Sequence, residues 1–244
     1  MKPSQKIKQN VVNQIAKTTL YENVSELMKM QQIYEAGIKE IRTKLEILDA
    51  EFKVKHDHNP IHHIESRLKS PESILKKAIN KDIPVTERSL EENIHDIAGI
   101  RVICNYVDDV YKVAQLLTDQ DDIRLVEVKD YIANPKESGY MSLHLVLEVP
   151  IFLSEGSKPI HVEVQLRTIA MDFWASLEHK LKYKKDIASD QLTVDLKKCA
   201  DESAALDLKM DAIRKEIEVL KAPEAKAIGR EVKHLPGGIL NENQ

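Results

Sequence analysis

Cysteine is nearly absent from this chain: 244 residues carry only Cys104 and Cys199. A disulfide-stapled scaffold is therefore excluded, and stability must come from an apolar core in which both thiols are expected to sit reduced. Long apolar runs are absent too. No segment approaches the roughly 20 apolar residues that a membrane span needs, and residues 1–20 hold no apolar stretch of secretory type. The reading is a cytoplasmic protein with no membrane partner. Nor does one sign of charge dominate. The chain has 36 Lys and Arg against 40 Asp and Glu, a net charge of −4, which excludes a uniformly basic nucleic-acid binder and requires any anion site to be a local cluster. RNA is left open as a partner, but no feature calls for it. The length suits one good-sized domain with extra helices.

Glycine and proline are sparse between Tyr21 and Lys55, where Ile33, Gly37, Ile41, Leu45 and Leu48 recur at three- and four-residue spacing. This predicts one or two long amphipathic helices. Residues 1–20 are polar and are expected to be frayed or weakly helical. His56-Asp-His-Asn-Pro60 breaks the pattern. Ser70-Pro71-Glu72 has the chemistry of a helix start, a side-chain cap followed by a proline whose missing N–H is no loss there, and predicts a helix to about Asn80. Further helices are expected over 89–94, 108–118, 171–183 and 193–220. Four segments, 100–104, 123–128, 143–149 and 160–166, read as strands. Trp174 is expected in the core with Phe173 and Leu177. The order implies an α+β fold with a mixed sheet of four to five strands, flanking helices and long helical extensions at both ends. The chain divides into a helical extension (1–55), a central domain (56–185), a C-terminal helix (186–222) and a disordered tail (223–244).

Four clusters carry chemistry-bearing side chains. Arg67, Lys69, Ser73, Lys77 and Lys81 surround the capped helix start, and the last three share a helix face. Free N–H groups, the helix dipole and mobile cations suit a phosphate; a solvated helix face is the plainer alternative. Asp96, in His95-Asp-Ile-Ala-Gly-Ile-Arg101, precedes a buried strand. A carboxylate there can hold Mg²⁺ while phosphates fill other positions, or it can satisfy backbone donors in a turn. In the loop 129–144, Gly139 permits close backbone approach, and Tyr140 offers a ring on which a flat base stacks for about 1–3 kcal/mol. Lys129 and Lys136 can meet phosphates, unless the loop is an ordinary polar hairpin connection. Along 160–168, Val162, Val164 and Leu166 take one strand face, and His161, Glu163, Gln165 and Arg167 the other. Polar groups on a sheet face need partners or a ligand. If Asp96 and Glu163 lie on neighbouring strands, their carboxylates could share one metal ion. The irregularly spaced His56, His58, His62 and His63 read as a loop cap before a zinc site.

In this order the residues resemble the synthetase domain of the RelA/SpoT family. The resemblance is carried by His95-Asp-Ile-Ala-Gly-Ile-Arg101, Lys129-Asp-Tyr-Ile, Pro135-Lys136, Ser138-Gly-Tyr-Met-Ser-Leu-His144, Glu163-Val-Gln-Leu-Arg-Thr168, and Trp174-Ala with Glu178-His179. It covers about residues 58–185, and the ordered series is far more specific than any one motif. The length leaves no room for the hydrolase and regulatory domains of long members, so the chain resembles a small alarmone synthetase, nearer the RelP type. The resemblance implies a nucleotidyltransferase-like fold of the polymerase β type. It implies transfer of the β,γ-diphosphate of ATP to the 3′-hydroxyl of GDP or GTP, making (p)ppGpp in the stringent response, with Mg²⁺ as cofactor and a homotetramer as the assembly. It assigns Arg67, Lys69, Ser73, Lys77 and Arg101 to ATP. It gives Asp96 and Glu163 to the metal, Glu163 also to activation of the 3′-hydroxyl, and Lys129, Lys136, Tyr140, His144 and Gln165 to GDP or GTP. Two positions depart from the family pattern: Met141 and Asn80 stand where relatives carry Arg. Glu127-Val-Lys129-Asp130 is a mixed form of a segment linked to acceptor preference, which leaves GDP against GTP open. The rival reading is a non-catalytic nucleotide- or RNA-binding regulator on the same fold; intact Asp96 and Glu163 argue against it.

Overall fold

A computed structural model describes residues 3–183 and 190–231. A long helix α1 (Pro3–Lys55) leads into strand β1 (Ile61–Leu68), helices α2 (Pro71–Asn80) and α3 (Glu87–Asn93), strand β2 (Ala98–Cys104) and helix α4 (Val107–Thr118). Strands β3 (Arg124–Asp130), β4 (Leu143–Leu153) and β5 (Gly156–Thr168) follow, then helices α5 (Ile169–Tyr183) and α6 (Asp190–Glu231). The strands form one five-stranded sheet in the order β1-β2-β5-β4-β3. Only β2 and β5 pair in parallel; every other neighbouring pair is antiparallel.

The sheet is two-faced because its strands alternate. From Ile160 to Leu166 β5 buries every second residue, and Val162, Val164 and Leu166 are fully enclosed. Helices α1 and α4 cover this apolar face. Met30, Tyr34, Ile38, Ile41 and Leu45 of α1, at three- and four-residue spacing, and Val110, Val113 and Leu117 of α4 share one core with the strands. Gly37 lets α1 come close to β5: a Cβ there would lie 3.0 Å from Ile160 Cγ2 and 3.2 Å from Val162 Cγ2. Among the described residues the opposite face of the sheet has no such helical cover, and it carries the polar side chains. Helices α5 and α6 pack together beside the C-terminal end of β5.

The expected helices and the four expected strands are present, and the cap of α2 is as read: Ser70 Oγ accepts from Ser73 N–H with Pro71 opening the helix. Several expectations need correction. The four to five strands expected are five, but β1 has no counterpart among the four segments read as strands; it is an edge strand of mostly exposed residues, with no apolar alternation to reveal it. Helix α1 begins at Pro3, not near Tyr21, because a proline is at home in the first turn and no other helix breaker follows before Gly37. Helix α6 runs through Pro223 to Glu231; a proline removes one intrahelical hydrogen bond without necessarily ending the helix. The expected tail from 232 onward, and 184–189 at the start of the expected C-terminal helix, lie outside the described residues. Cys104 is buried, but Cys199 is exposed on α6. Trp174 is buried, whereas Phe173 and Leu177 beside it are exposed, since only one stripe of α5 meets the rest of the fold.

Candidate active site

The polar face of the sheet is a grid set by strand register. One row runs Lys129, His144, Gln165, Arg101 and Glu65 across β3, β4, β5, β2 and β1. The adjoining row runs Glu127, Val146, Glu163, Gly99 and Arg67. Gly99 interrupts that second row with a position that has no side chain. A Cβ built there would meet only the Arg67 carbonyl oxygen at 3.5 Å, so packing does not demand the glycine; its smallness leaves room between Glu163 and Arg67. A cleft of about 250 Å³ opens in this place, lined among others by Arg67, Lys69, Asp96, Arg101, Glu163 and Gln165.

On one side of the cleft lie cations. Asp96, just ahead of β2, accepts from Lys69 Nζ at 2.6 Å and from Lys77 Nζ at 2.7 Å, both on Oδ2. Its Oδ1 is buried and has no hydrogen-bond partner. Burial pushes the Asp96 carboxyl up, but the two lysines outweigh it and hold it below the usual carboxylate range. Arg101 reaches Glu65 and Asp172, each at 3.4 Å. Ser73 lies at the start of α2, where its hydroxyl is 2.9 Å from that of Ser70. Lys81 turns away to the carbonyl of Asn93, and Asn80 is exposed at the end of α2. The unpartnered Oδ1 of Asp96 and the nearby Glu163 suit a hard cation. Among the described residues no group of three or more His, Cys, Asp or Glu could hold one. A cation here would therefore draw further oxygens from a phosphate ligand or water, as Mg²⁺ commonly does.

On the other side lies an aromatic shelf. Tyr140 and Tyr131 meet edge to face at 5.9 Å, and Lys136 Nζ sits over both rings, 5.0 Å and 4.5 Å from their centroids. Tyr131 also packs against His144 at 5.3 Å. Lys129 is paired with Glu127 at 2.9 Å. Gly139, with φ of +88°, makes the turn before Tyr140, and its Cα side is pressed against Ala200 of α6. Met141 lines a small cavity with Ala170, Met171 and Trp174 rather than the cleft, so the side chain at this departure from the family pattern packs toward α5.

Glu163 stands between the two sides. Its Oε2 accepts from Gln165 Nε2 at 2.8 Å, and its Oε1 lies 3.3 Å from His144 Nδ1. Burial raises its pKa, yet His144 and Gln165 together hold the carboxyl below its ordinary value, against repulsion from Asp96. The carboxylate is thus ionised at neutral pH and able to accept a proton.

Of the expected site residues, Arg67, Lys69, Asp96, Arg101, Glu163 and Gln165 come together in the cleft. Lys77 joins them through Asp96, and Tyr140, His144, Lys129 and Lys136 form the shelf beside them; Ser73 stays at the helix cap. The neighbouring-strand condition for Asp96 and Glu163 is not met as stated: Asp96 does not lie on a strand but sits in the turn just ahead of β2, whose Gly99 pairs with Glu163 on β5, so the two carboxylates still come from adjoining segments. Sequence reasoning assigned no role to Tyr131, Asp172 or Arg167. Arg167 was visible as a charge on the polar face of β5, but it is buried and its partners could not be read from spacing. The histidines from 56 to 63 scatter: His58 binds the carboxylate of Asp109 at 2.8 Å, while the rings of His62 and His63 meet at 5.1 Å.

A basic cleft and an aromatic shelf, with an ionised carboxylate between them, suit an enzyme that holds two ligands at once. A model of the region found in RelA / SpoT proteins matches residues 66–188. The GTP pyrophosphokinase YwaC of Bacillus subtilis strain 168 is 46% identical over 187 residues, spanning 76% of this chain and 89% of that protein. The crystal structure of small alarmone synthetase 1 from Bacillus subtilis bound to its product pppGpp superposes with a TM-score of 0.70 at 38% identity, over 75% of this chain and 94% of the other. The same synthetase bound to AMPCPP gives a TM-score of 0.65 at 33% identity, over 76% and 93%. The chain belongs to the RelA/SpoT family.

Proposed function

We propose that this chain transfers the β,γ-diphosphate of ATP to the 3′-hydroxyl of GDP or GTP, giving ppGpp or pppGpp and AMP. The observation that carries the reading is the position of ionised Glu163 between a basic cleft and an aromatic shelf. Solved relatives bind an ATP analogue and pppGpp, which suit those two sides. In this reading Arg67, Lys69, Lys77 and Arg101 neutralise the ATP phosphates, with Ser73 at the helix start. Asp96, with Glu163, would hold Mg²⁺, which when bound draws negative charge off the phosphate oxygens. Lys69 and Lys77, which occupy Asp96 in the free protein, are in place to exchange that partner for phosphates. Tyr140 stacks on guanine, and Lys129, Lys136, His144 and Gln165 orient the acceptor. Glu163 accepts the 3′-hydroxyl proton as the oxygen attacks the β-phosphorus and the bond to the α-phosphate oxygen breaks. Such a transfer depends on in-line positioning and charge neutralisation, and the base must lie within hydrogen-bond reach of the hydroxyl.

The assembly is proposed to be a homotetramer in the cytoplasm. Large apolar side chains stay exposed along α6, among them Leu206, Met210, Ile213 and Ile217, as a helix does that awaits a second chain. Among the described residues no helix is long and apolar enough to cross a membrane. Light scattering on the purified protein tests the tetramer. The activity is tested by incubating the chain with labelled ATP, GDP or GTP, and Mg²⁺. A labelled tetra- or pentaphosphate product is expected, and its absence, with and without added effectors, removes the reading.

A further inference from the structure

Arg167 is buried, with only 6% of its side chain exposed, and it neither lines the cleft itself nor hydrogen-bonds Glu163 directly. Each of its three nitrogens nonetheless has a partner. Nη2 donates to the Tyr140 hydroxyl at 2.6 Å and to Gln165 Oε1 at 3.1 Å; Nη1 donates to Asp172 at 3.1 Å; Nε lies 3.4 Å from Ser142 Oγ. From Nη2 two routes lead to the same carboxylate. One passes through the Tyr140 hydroxyl to His144 Nε2 at 2.8 Å, and from His144 Nδ1 to Glu163 Oε1. The other passes through Gln165, whose Nε2 donates to Glu163 Oε2. The two routes close a ring that begins and ends on one nitrogen.

The ring has a direction because arginine can only donate. Gln165 must turn its carbonyl oxygen toward Arg167, which leaves its NH₂ for Glu163; the opposite amide orientation would set donor against donor. The Tyr140 oxygen accepts from Arg167. Glu163 can only accept, so His144 turns a protonated Nδ1 toward it and leaves Nε2 to take the Tyr140 hydroxyl hydrogen. The buried cation thus sets the Gln165 amide and holds the Tyr140 hydroxyl, and both neighbours of the carboxylate donate, one to each oxygen. The Asp172 carboxylate holds the guanidinium from behind and is also 3.4 Å from Arg101, which ties this ring to the basic side of the cleft.

We propose that Arg167 is a positioning residue for the reaction: it orients Glu163 through this closed hydrogen-bond circuit. The proposal rests on the reading of Glu163 as the base. It also assigns the Tyr140 hydroxyl to the circuit, so that nucleotide recognition by Tyr140 falls to the ring face alone.

Two measurements test it. In the native protein labelled with ¹⁵N-histidine, His144, assigned by comparison with His144→Asn, is expected as the Nδ1–H tautomer; an Nε2–H form or an even mixture of tautomers overturns the circuit. In kinetics, Arg167→Met is expected to lower kcat roughly 10- to 100-fold, the usual loss when an indirect orienting partner is removed, with the KM for both nucleotides within about threefold. Arg167→Lys, which keeps one donor, should recover part of that loss. A folded Arg167→Met protein with native kcat, or with its loss confined to KM, refutes the assignment. Should the arginine variants fail to fold, Tyr140→Phe cuts one route while keeping the ring, and must lower kcat with KM little changed; native kcat there is also a refutation. A Glu163→Gln protein with full activity would remove the base but leave the tautomer result standing, so the two failures are separable.

Discussion

Gly139 makes the sharpest quantitative test of how the shelf is held. Its φ of +88° lies in the left-handed region, and a Cβ added there would come within 2.4 Å of Ala200 Cβ on α6. Gly139→Ala therefore has two penalties. The backbone conformation costs an L-residue about 1–2 kcal/mol, and the forced contact, between two atoms with no flexible end to give way, costs about 1–3 kcal/mol as overpacking. The sum is about 2–5 kcal/mol. Ala200→Gly alone should cost about 1 kcal/mol through helix propensity. If the contact is as drawn, the double variant removes the overpacking penalty and loses only about 2–3 kcal/mol. The coupling between the two sites is then about 1–3 kcal/mol, measured from urea unfolding curves of the four proteins. Acceptor KM should follow the same pattern, rising in Gly139→Ala because Tyr140 is the next residue, and falling back in the double variant. Penalties that add to within about 0.5 kcal/mol would refute the claim that α6 braces this turn.

Further predictions follow from the same geometry. Glu163→Gln should keep its fold and both KM values while losing roughly 10²–10⁴-fold in kcat, the usual contribution of a positioned base. Gly99→Val should leave stability unchanged or slightly raised, since a branched residue suits a strand and space is open there, yet abolish turnover by filling the gap between Glu163 and Arg67; equilibrium unfolding beside an activity assay reads both. Tyr140→Ala should raise acceptor KM by roughly 5- to 150-fold, the equivalent of about 1–3 kcal/mol of stacking, with little change in the KM for ATP. Asp207 accepts from Thr168 Oγ1 at 2.6 Å while burial, with help from Asp211, raises its pKa. Its folded-state proton affinity exceeds that of the unfolded chain, so its contribution is fully present below the ordinary Asp range and is lost as pH rises through the raised folded value. Asp207→Asn should then stabilise the protein at neutral pH, an advantage that fades as pH falls below about 4; thermal unfolding at both ends of that range decides it.

Local signals were legible wherever a residue's role depends on its neighbours in sequence. Ser70-Pro71-Glu72 announced α2 because capping is a three-residue event, and the alternation of Val162, Val164 and Leu166 placed Glu163 and Gln165 on the polar face before any strand partner was known. β1 was hidden for the converse reason: its partner strand pairs with it across thirty or more residues of sequence, and an exposed edge strand needs no alternation of its own. Arg101, Lys69 and Asp96 could be named, but their meeting depends on β2 lying between β1 and β5, which no spacing encodes. Arg167 shows the limit best. Its charge was visible, and charges on a sheet face usually point to solvent; only the closed ring through Tyr140, His144, Glu163 and Gln165 shows why this one is enclosed.

The strand order has a consequence for how the protein comes into being. β5 is the last strand to be synthesised, yet it lies in the middle of the sheet. β4 and β5 are joined by a short turn and, with β3, can form a meander from nearby residues. β1 and β2 can pair with each other independently. The two halves have no edge in common until β5 docks alongside β2, a parallel pairing of segments distant in sequence and therefore slow to find. The basic half carries Asp96 and its lysines, the aromatic half carries Tyr140, and Glu163 lies on the seam. Neither half alone contains the cleft between them, so assembly of the candidate site and completion of the sheet are one event.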